Sequence, residues 1–199
     1  SDEVSTPFGF RDIRFDANTG FWLNGKNMKL KGMCLHQDAG SFGVAVPDEV
    51  WLRRLKALKE IGCNAIRCSH NPPSSEFLTI CDTLGLFVLD EAFDKWKSGY
   101  YEPFYDENAH GDIADMVLRD RNHPSVIVWS IGNEVSEAWK TDDEGVNRAR
   151  ELNDIVKKLD PTRPTMVACQ QGFEDKFGEV TDLVGYNYLE NRMIADHKR

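Results

Sequence analysis

From Lys29 onward the chain alternates short apolar runs with amphipathic segments, and that alternation constrains the fold more than any other feature. The runs are KLKGMCLHQ (29–37), NAIRCSH (64–70), LFVLDEA (86–92), SVIVWSIGNE (125–134), PTMVACQ (164–170) and DLVGYNY (182–188). Runs that are apolar on nearly every residue are strands buried on both faces. Such strands form parallel sheets covered by helices. The segments between them supply the helices. Over 47–62, Pro47 stands at the start, Trp51, Leu55, Leu58 and Ile61 fall at helical spacing, and Gly62 stops the run. Residues 74–85 read as a helix capped by Ser74 and ended by Gly85. Residues 112–124 read as one capped by Asp112 and stopped by Pro124, and 143–159 as an amphipathic helix through Val146, Ala149, Leu152, Val156 and Leu159. The stretch between the last two strands is short and only weakly helical.

A parallel sheet under helices is either an open doubly wound sheet or a barrel. The polar strand ends favour the barrel. His36, His70, Asp90 with Glu91, Asn133 with Glu134, Gln170 with Gln171, and Asn187 with Tyr188 close the six runs on the C-terminal side. In a (β/α)₈ barrel those ends converge on one site, whereas an open sheet gathers its ligand at a single switch point. No glycine-rich phosphate loop follows the first strand, so dinucleotide and nucleotide readings lack support and no cofactor is expected. Six units occupy residues 29–199, and eight would need on the order of 230 residues. The fold expected is α/β, an incomplete (β/α)₈ TIM barrel of about six units. Before it, RDIRFD, the turn ANTG and FWLNG with Asn24-Gly25 read as a short antiparallel hairpin within residues 1–28.

Charge excludes one class of partner. The net charge of −9 offers no positive excess to neutralise phosphates, so nucleic acid is not expected. No apolar run approaches the roughly 18 residues of a membrane span. Ser1 to Phe10 has no charged-then-apolar layout, which leaves cytoplasm and periplasm equally open for a parent protein. Five cysteines without a C-x-x-C pair read as free structural thiols rather than a disulfide or zinc framework.

The run RDRNHPSVIVWSIGNE (119–134) resembles the acid/base segment of glycoside hydrolase family 2, the family of β-galactosidases, β-glucuronidases and β-mannosidases. GFR (9–11), LNGK with LKGMCLHQD (23–38), NAIRCSHNP (64–72), LGLFVLDEA (84–92) and LVGYNY (183–188) follow the family's order. The resemblance implies a retaining exo-glycosidase barrel preceded by β-sandwich domains. Residues 1–28 would then be the end of a sandwich and the lead-in hairpin, and 29–199 a partial catalytic domain. It implies Glu134 as general acid/base and Asn133 as the amide that binds the sugar 2-hydroxyl. Arg67 would hold the nucleophile, His36 and His70 would contact substrate, and Tyr188 would stand beside the nucleophile.

The residues themselves support part of this. Retaining hydrolysis needs a carboxylic acid that protonates the leaving oxygen and a second carboxylate that attacks the anomeric carbon. Glu134 follows VIVWSIG, so an apolar wall that keeps it protonated is expected. Read alone, it could equally cap a helix or bridge a cation. Arg67 among apolar neighbours requires a carboxylate partner. Asp90 and Glu91 are candidates to support the site, and their spacing does not show which faces inward. The aromatic loop of Phe93, Trp96, Tyr100, Tyr101, Phe104 and Tyr105 could stack on sugars or simply pack.

Two departures from the family are expected to matter. Some members place a Glu-x-His metal site after the third-strand acidic pair. Here AFDKWKSG puts Lys95 and Lys97 there, and ammonium groups do not ligate magnesium, so no metal is expected. The family's nucleophile is a glutamate ending the seventh strand, and the chain ends at Arg199; Glu190 lies only two residues past Tyr188 and does not match it. The expectation is a fragment with the acid/base and without the nucleophile, inactive by itself, from a parent that acts on β-linked terminal sugars, β-galactoside favoured. The exposed barrel edges should promote self-association. The alternative is a non-catalytic carbohydrate-binding or scaffold protein on a degenerate barrel.

Overall fold

The computed structural model describes residues 2–136, 143–170 and 175–198. Three short strands come first: β1 (Ile13–Asp16), β2 (Gly20–Leu23) and β3 (Lys26–Met28), paired antiparallel in that order. The expected hairpin is thus a three-stranded meander. Its second turn is Asn24-Gly25, with both residues in the left-handed region (φ 49° and 75°), the geometry that a tight turn between right-twisted strands requires.

Six parallel strands follow: β4 (Gly32–His36), β5 (Ala65–Ser69), β6 (Phe87–Glu91), β7 (Val126–Asn133), β8 (Thr165–Cys169) and β9 (Leu183–Tyr186). Their order in the sheet is their order in the chain. A doubly wound sheet would reverse that order at a switch point. Here every crossover runs the same way, and right-handed crossovers then put every helix on one face and curl the sheet. The result is an open half-barrel, the incomplete (β/α)₈ architecture expected. The helices are α1 (Asp48–Glu60), α2 (Ser75–Leu84), α3 (Glu102–Asp120), α4 (Glu144–Leu159), and the short α5 (Asp175–Gly178) and α6 (Met193–Asp196).

Two apolar layers result. Outside the sheet, Ile66, Cys68, Val88, Trp129, Ile131 and Val167 meet Trp51, Leu55, Phe77, Ile113, Leu152 and Val156 from the helices. Inside, Phe21 of the meander joins Ile127, Val128, Met166 and Ala168 and stacks edge-on against Phe87 at 5.1 Å. The meander therefore plugs the half-barrel at the N-terminal ends of its strands. A cleft of about 1040 Å³ remains there between the meander and the start of β9, lined by Phe15, Met28, Leu30 and Leu183. It lies at the opposite end from the polar strand tips. Strand β7 is buried on every residue, whereas the outermost strands β4 and β9 are largely open to solvent.

The local signals worked where they were chemical. Ser74 Oγ accepts the Phe77 N–H, and Gly85 takes the left-handed cap (φ 67°). Two expectations need correction. Helix α3 begins at Glu102, ten residues before Asp112, which therefore lies mid-helix and accepts the Tyr101 hydroxyl instead of capping. Gly111 before it resembles a break, but Tyr105 and Ala109 bury against the core and carry the helix through. Ile61 lies past the end of α1 and is 76% exposed, because Gly62 (φ 92°) turns the chain away. All five cysteines are free; four are buried, and Cys34 is exposed because β4 is an edge.

Candidate active site

The partners decide which acidic residue of β6 faces the barrel interior. It is Glu91. Arg67, two strand positions inside β5, donates from Nε (3.0 Å) and Nη2 (2.8 Å) to Glu91 Oε2. Ser130 Oγ of β7 donates to the same oxygen at 2.7 Å, and His70 Nδ1 lies 2.5 Å from Oε1. Burial alone would pull the Arg67 guanidinium down, but Glu91 outweighs it and holds the group above its ordinary value. The carboxylate partner that an inward arginine requires is therefore Glu91. Asp90 points the other way, into the helix layer, where burial and then the charge of Asp120 push its carboxyl well above the usual range.

Asn133 ends β7 at the centre of this network. Its Oδ1 accepts from Arg67 Nη2 (2.7 Å) and Asn187 Nδ2 (2.8 Å), and its Nδ2 donates to Asp94 Oδ1 (2.7 Å). Its backbone N–H donates to Asp94 O at 3.0 Å. Glu134 is next, in the left-handed region (φ 50°), with its N–H given to Ala168 O at 2.6 Å. That kink turns the side chain off the strand direction and across the barrel mouth. The side chain is only 14% exposed, with Asn187 Nδ2 3.3 Å from Oε1 and Lys95 Nζ 3.3 Å from Oε2. Among the described residues, those that follow β6 and β9 bring an ammonium and an amide to it in place of the apolar wall expected. The apolar side chains of VIVWSIG pack in the sheet layers instead.

The other expected residues are placed less tightly. His36 ends the exposed edge strand β4 and meets the cluster through the His70 ring, edge to face at 5.4 Å. Tyr188 follows the opposite edge strand, has a left-handed backbone (φ 62°) and is 79% exposed. Glu190 lies in the exposed turn beyond it. Of the aromatic loop, Phe93, Trp96 and Tyr105 are core residues, while Tyr100 is fully exposed and Phe104 mostly so. Trp96 donates to Ile131 O at 2.8 Å and sits so close to Gly132 that a Cβ there would fall 2.5 Å from its Nε1. Asp94, Lys95, Ser130 and Asn187 complete the site. Asn187 carried a signal in the sequence as a polar strand end, and Lys95 only as a lysine where some family members place metal ligands; Asp94 and Ser130 carried none.

The donor set does not fit the magnesium site that some family members carry at the loop after the third barrel strand. Lys95 Nζ occupies the space between Asp94 and Glu134, and Lys97 pairs with Asp106 at 2.6 Å. Two ammonium groups offer no lone pairs to a cation.

This arrangement, an Asn-Glu pair ending the fourth strand of a curled parallel sheet beside an Arg–Glu–His network, agrees with the comparisons. Residues 16–196 match the model of the glycosyl hydrolases family 2 TIM barrel domain. The chain belongs to glycoside hydrolase family 2. It is 41% identical to the β-galactosidase BoGH2A of Bacteroides ovatus over 94% of this chain and 26% of that protein. It is 32% identical to a β-glucuronidase of Bacteroides fragilis over 94% of this chain and 27% of that protein. The crystal structure of a family 2 member from Bacteroides cellulosilyticus superposes with a TM-score of 0.91 at 46% identity, covering 96% of this chain and 25% of that one. The chain thus spans about a quarter of the length of these relatives.

Proposed function

We propose that this chain is the acid/base-bearing part of a retaining β-glycosidase that acts on terminal β-linked sugars, with β-galactosides favoured. The observation that carries the reading is Glu134: a carboxyl fixed at both oxygens, directly after Asn133, at the mouth where the strand ends converge. In this reading Glu134 protonates the leaving oxygen as the glycosidic C–O bond breaks, and later takes a proton from the attacking water. Asn133 and His70 bind the sugar hydroxyls, with His36 and Tyr188 flanking them. Arg67 is the cation that orients the second carboxylate, which residues outside this chain supply. The similarity to both a β-galactosidase and a β-glucuronidase supports a β-glycoside as the substrate class, and the identity with BoGH2A favours galactose.

The test is a panel of aryl β-glycosides against the full-length protein, alongside the 199-residue chain. Turnover of the β-galactoside by the full-length protein, lost in Glu134→Gln, and no turnover by the isolated chain is the expected result. Hydrolysis by the isolated chain that depends on Glu134 would refute the missing second carboxylate. Saturable sugar binding without turnover in the full-length protein would replace the enzyme by a carbohydrate-binding module.

A further inference from the structure

We propose that Lys95 is a positioning residue for Glu134, holding the acid/base carboxyl at the barrel mouth by a charged hydrogen bond to one of its oxygens, from a frame that Asp94 locks in place. The proposal deepens the reading of the previous subsection and rests on Glu134 being the acid/base.

A lysine side chain has four rotatable bonds, so an exposed pair loses in side-chain entropy most of what it gains in charge attraction. Lys95 does not have that freedom. Its Nζ is 3.2 and 3.1 Å from the two oxygens of Asp94, and its side chain is more than two-thirds buried. Asp94 is in turn fixed to the end of β7, since it accepts both the backbone and the side-chain N–H of Asn133. The ammonium therefore stands on a frame tied to the residue that precedes Glu134. Burial pulls the Lys95 ammonium down, but Asp94 and Glu134 outweigh it and keep it charged. With Asn187 on the other oxygen, the described residues supply a polar contact at each end of the Glu134 carboxyl before any substrate arrives. Fixing the acid in place lowers the cost of reaching the proton-transfer geometry.

The consequence for the reaction follows from charge. When Glu134 gives its proton to the leaving oxygen, the electron pair of the broken C–O bond goes to that oxygen and Glu134 is left as a carboxylate. Lys95, already 3.3 Å away, neutralises that new charge without any rearrangement. The benefit is largest where the leaving group most needs a proton.

Two measurements test this. In the isolated chain, competitive acetylation read by mass spectrometry should show Lys95 reacting more slowly than exposed Lys26. Glu134→Gln should raise the Lys95 rate roughly fivefold, the worth of about 1 kcal/mol of ion pair. In the full-length protein, Lys95→Met should lower kcat/KM for an alkyl β-glycoside by roughly 10- to 100-fold, a part of what general acid catalysis supplies. The 2,4-dinitrophenyl β-glycoside, which leaves without protonation, should barely change, and Lys95→Arg should recover much of the loss. Equal losses for both substrates, no loss for either, or a Lys95 labelling rate indifferent to Glu134→Gln would overturn the proposal. If Glu134→Gln itself leaves alkyl glycoside hydrolysis intact, it is the acid/base reading that fails and Lys95 falls with it.

Discussion

Replacing Asp90 by asparagine should stabilise the fold, and increasingly so as pH rises. Asp90 is completely buried on the helix side of β6, against Asp120 of α3, which is also buried and bound by Arg119 through two bonds of 2.6 and 2.7 Å. Among the described residues, nothing but a proton shared with Asp120 reaches the Asp90 oxygens. Two facing carboxylates offer no donor to each other, so the arrangement holds together only with a proton on the pair. Burial and Asp120 accordingly hold the Asp90 pKa well above its ordinary 3.8. The sign follows from proton counting. Above pH 4 the unfolded chain releases this proton and the folded chain keeps it, so stability falls as pH rises until the folded group ionises. Each pH unit over which the fold keeps a proton that the unfolded chain has lost costs about 1.4 kcal/mol. An asparagine at this position has no proton to lose, and its amide can still donate to Asp120. Urea denaturation of both proteins at pH 5 and pH 7 reads this directly, because titrating groups that do not interact with Asp90 cancel in the difference. Asp90→Asn should gain stability relative to the parent between the two pH values, by up to about 1.4 kcal/mol for each pH unit over which the folded Asp90 stays protonated. Parallel pH dependences would show that Asp90 is ionised in the fold and would refute the reasoning.

Three further outcomes follow from the same geometry. Arg67→Ala leaves Glu91 fully buried without its main cation, which should cost about 3–5 kcal/mol in denaturant unfolding; a loss below about 1 kcal/mol would mean that His70 and Ser130 suffice. Gly132→Ala drives a methyl into the Trp96 indole and should cost about 1–3 kcal/mol, with the fluorescence of that buried tryptophan altered; an unchanged midpoint and spectrum would refute the packing. The isolated chain should self-associate through the unpaired edges of β4 and β9, where Met33 and Val184 are exposed; light scattering that shows a strict monomer at high concentration would exclude it.

What was legible in the sequence, and what was not, divides along the range of the interactions. Ser74, Gly85 and Asn24-Gly25 act within a few residues of themselves, so their caps and turn are present in the string of residues as they are in the fold. The six strands are legible for a related reason, since burial on both faces leaves an apolar run that nothing local disguises. That same double burial hides which face each residue takes. In LFVLDEA no alternation survives to say whether Asp90 or Glu91 points inward, and only the partners decide: Arg67 and Ser130 on one side, Asp120 on the other. Helix α3 is longer than its pattern because Tyr105 and Ala109 find a core supplied by Phe93 and Trp96, which no window of the helix contains.

The candidate site shows the limit most sharply. Asn133 and Glu134 are adjacent in sequence and could be named from it. The surroundings of the Glu134 carboxyl could not, because they arrive from two other strand ends: Lys95 from 39 residues before and Asn187 from 53 after. An apolar strand leading to a carboxyl predicts a dry wall. A barrel places at the end of that strand whatever its neighbouring loops carry, and here they carry an ammonium and an amide. The polarity around the carboxyl that ends β7 is therefore set by the loops beside that strand. A change in the residues after β6 or β9 should alter the behaviour of Glu134 more than any conservative change within VIVWSIG.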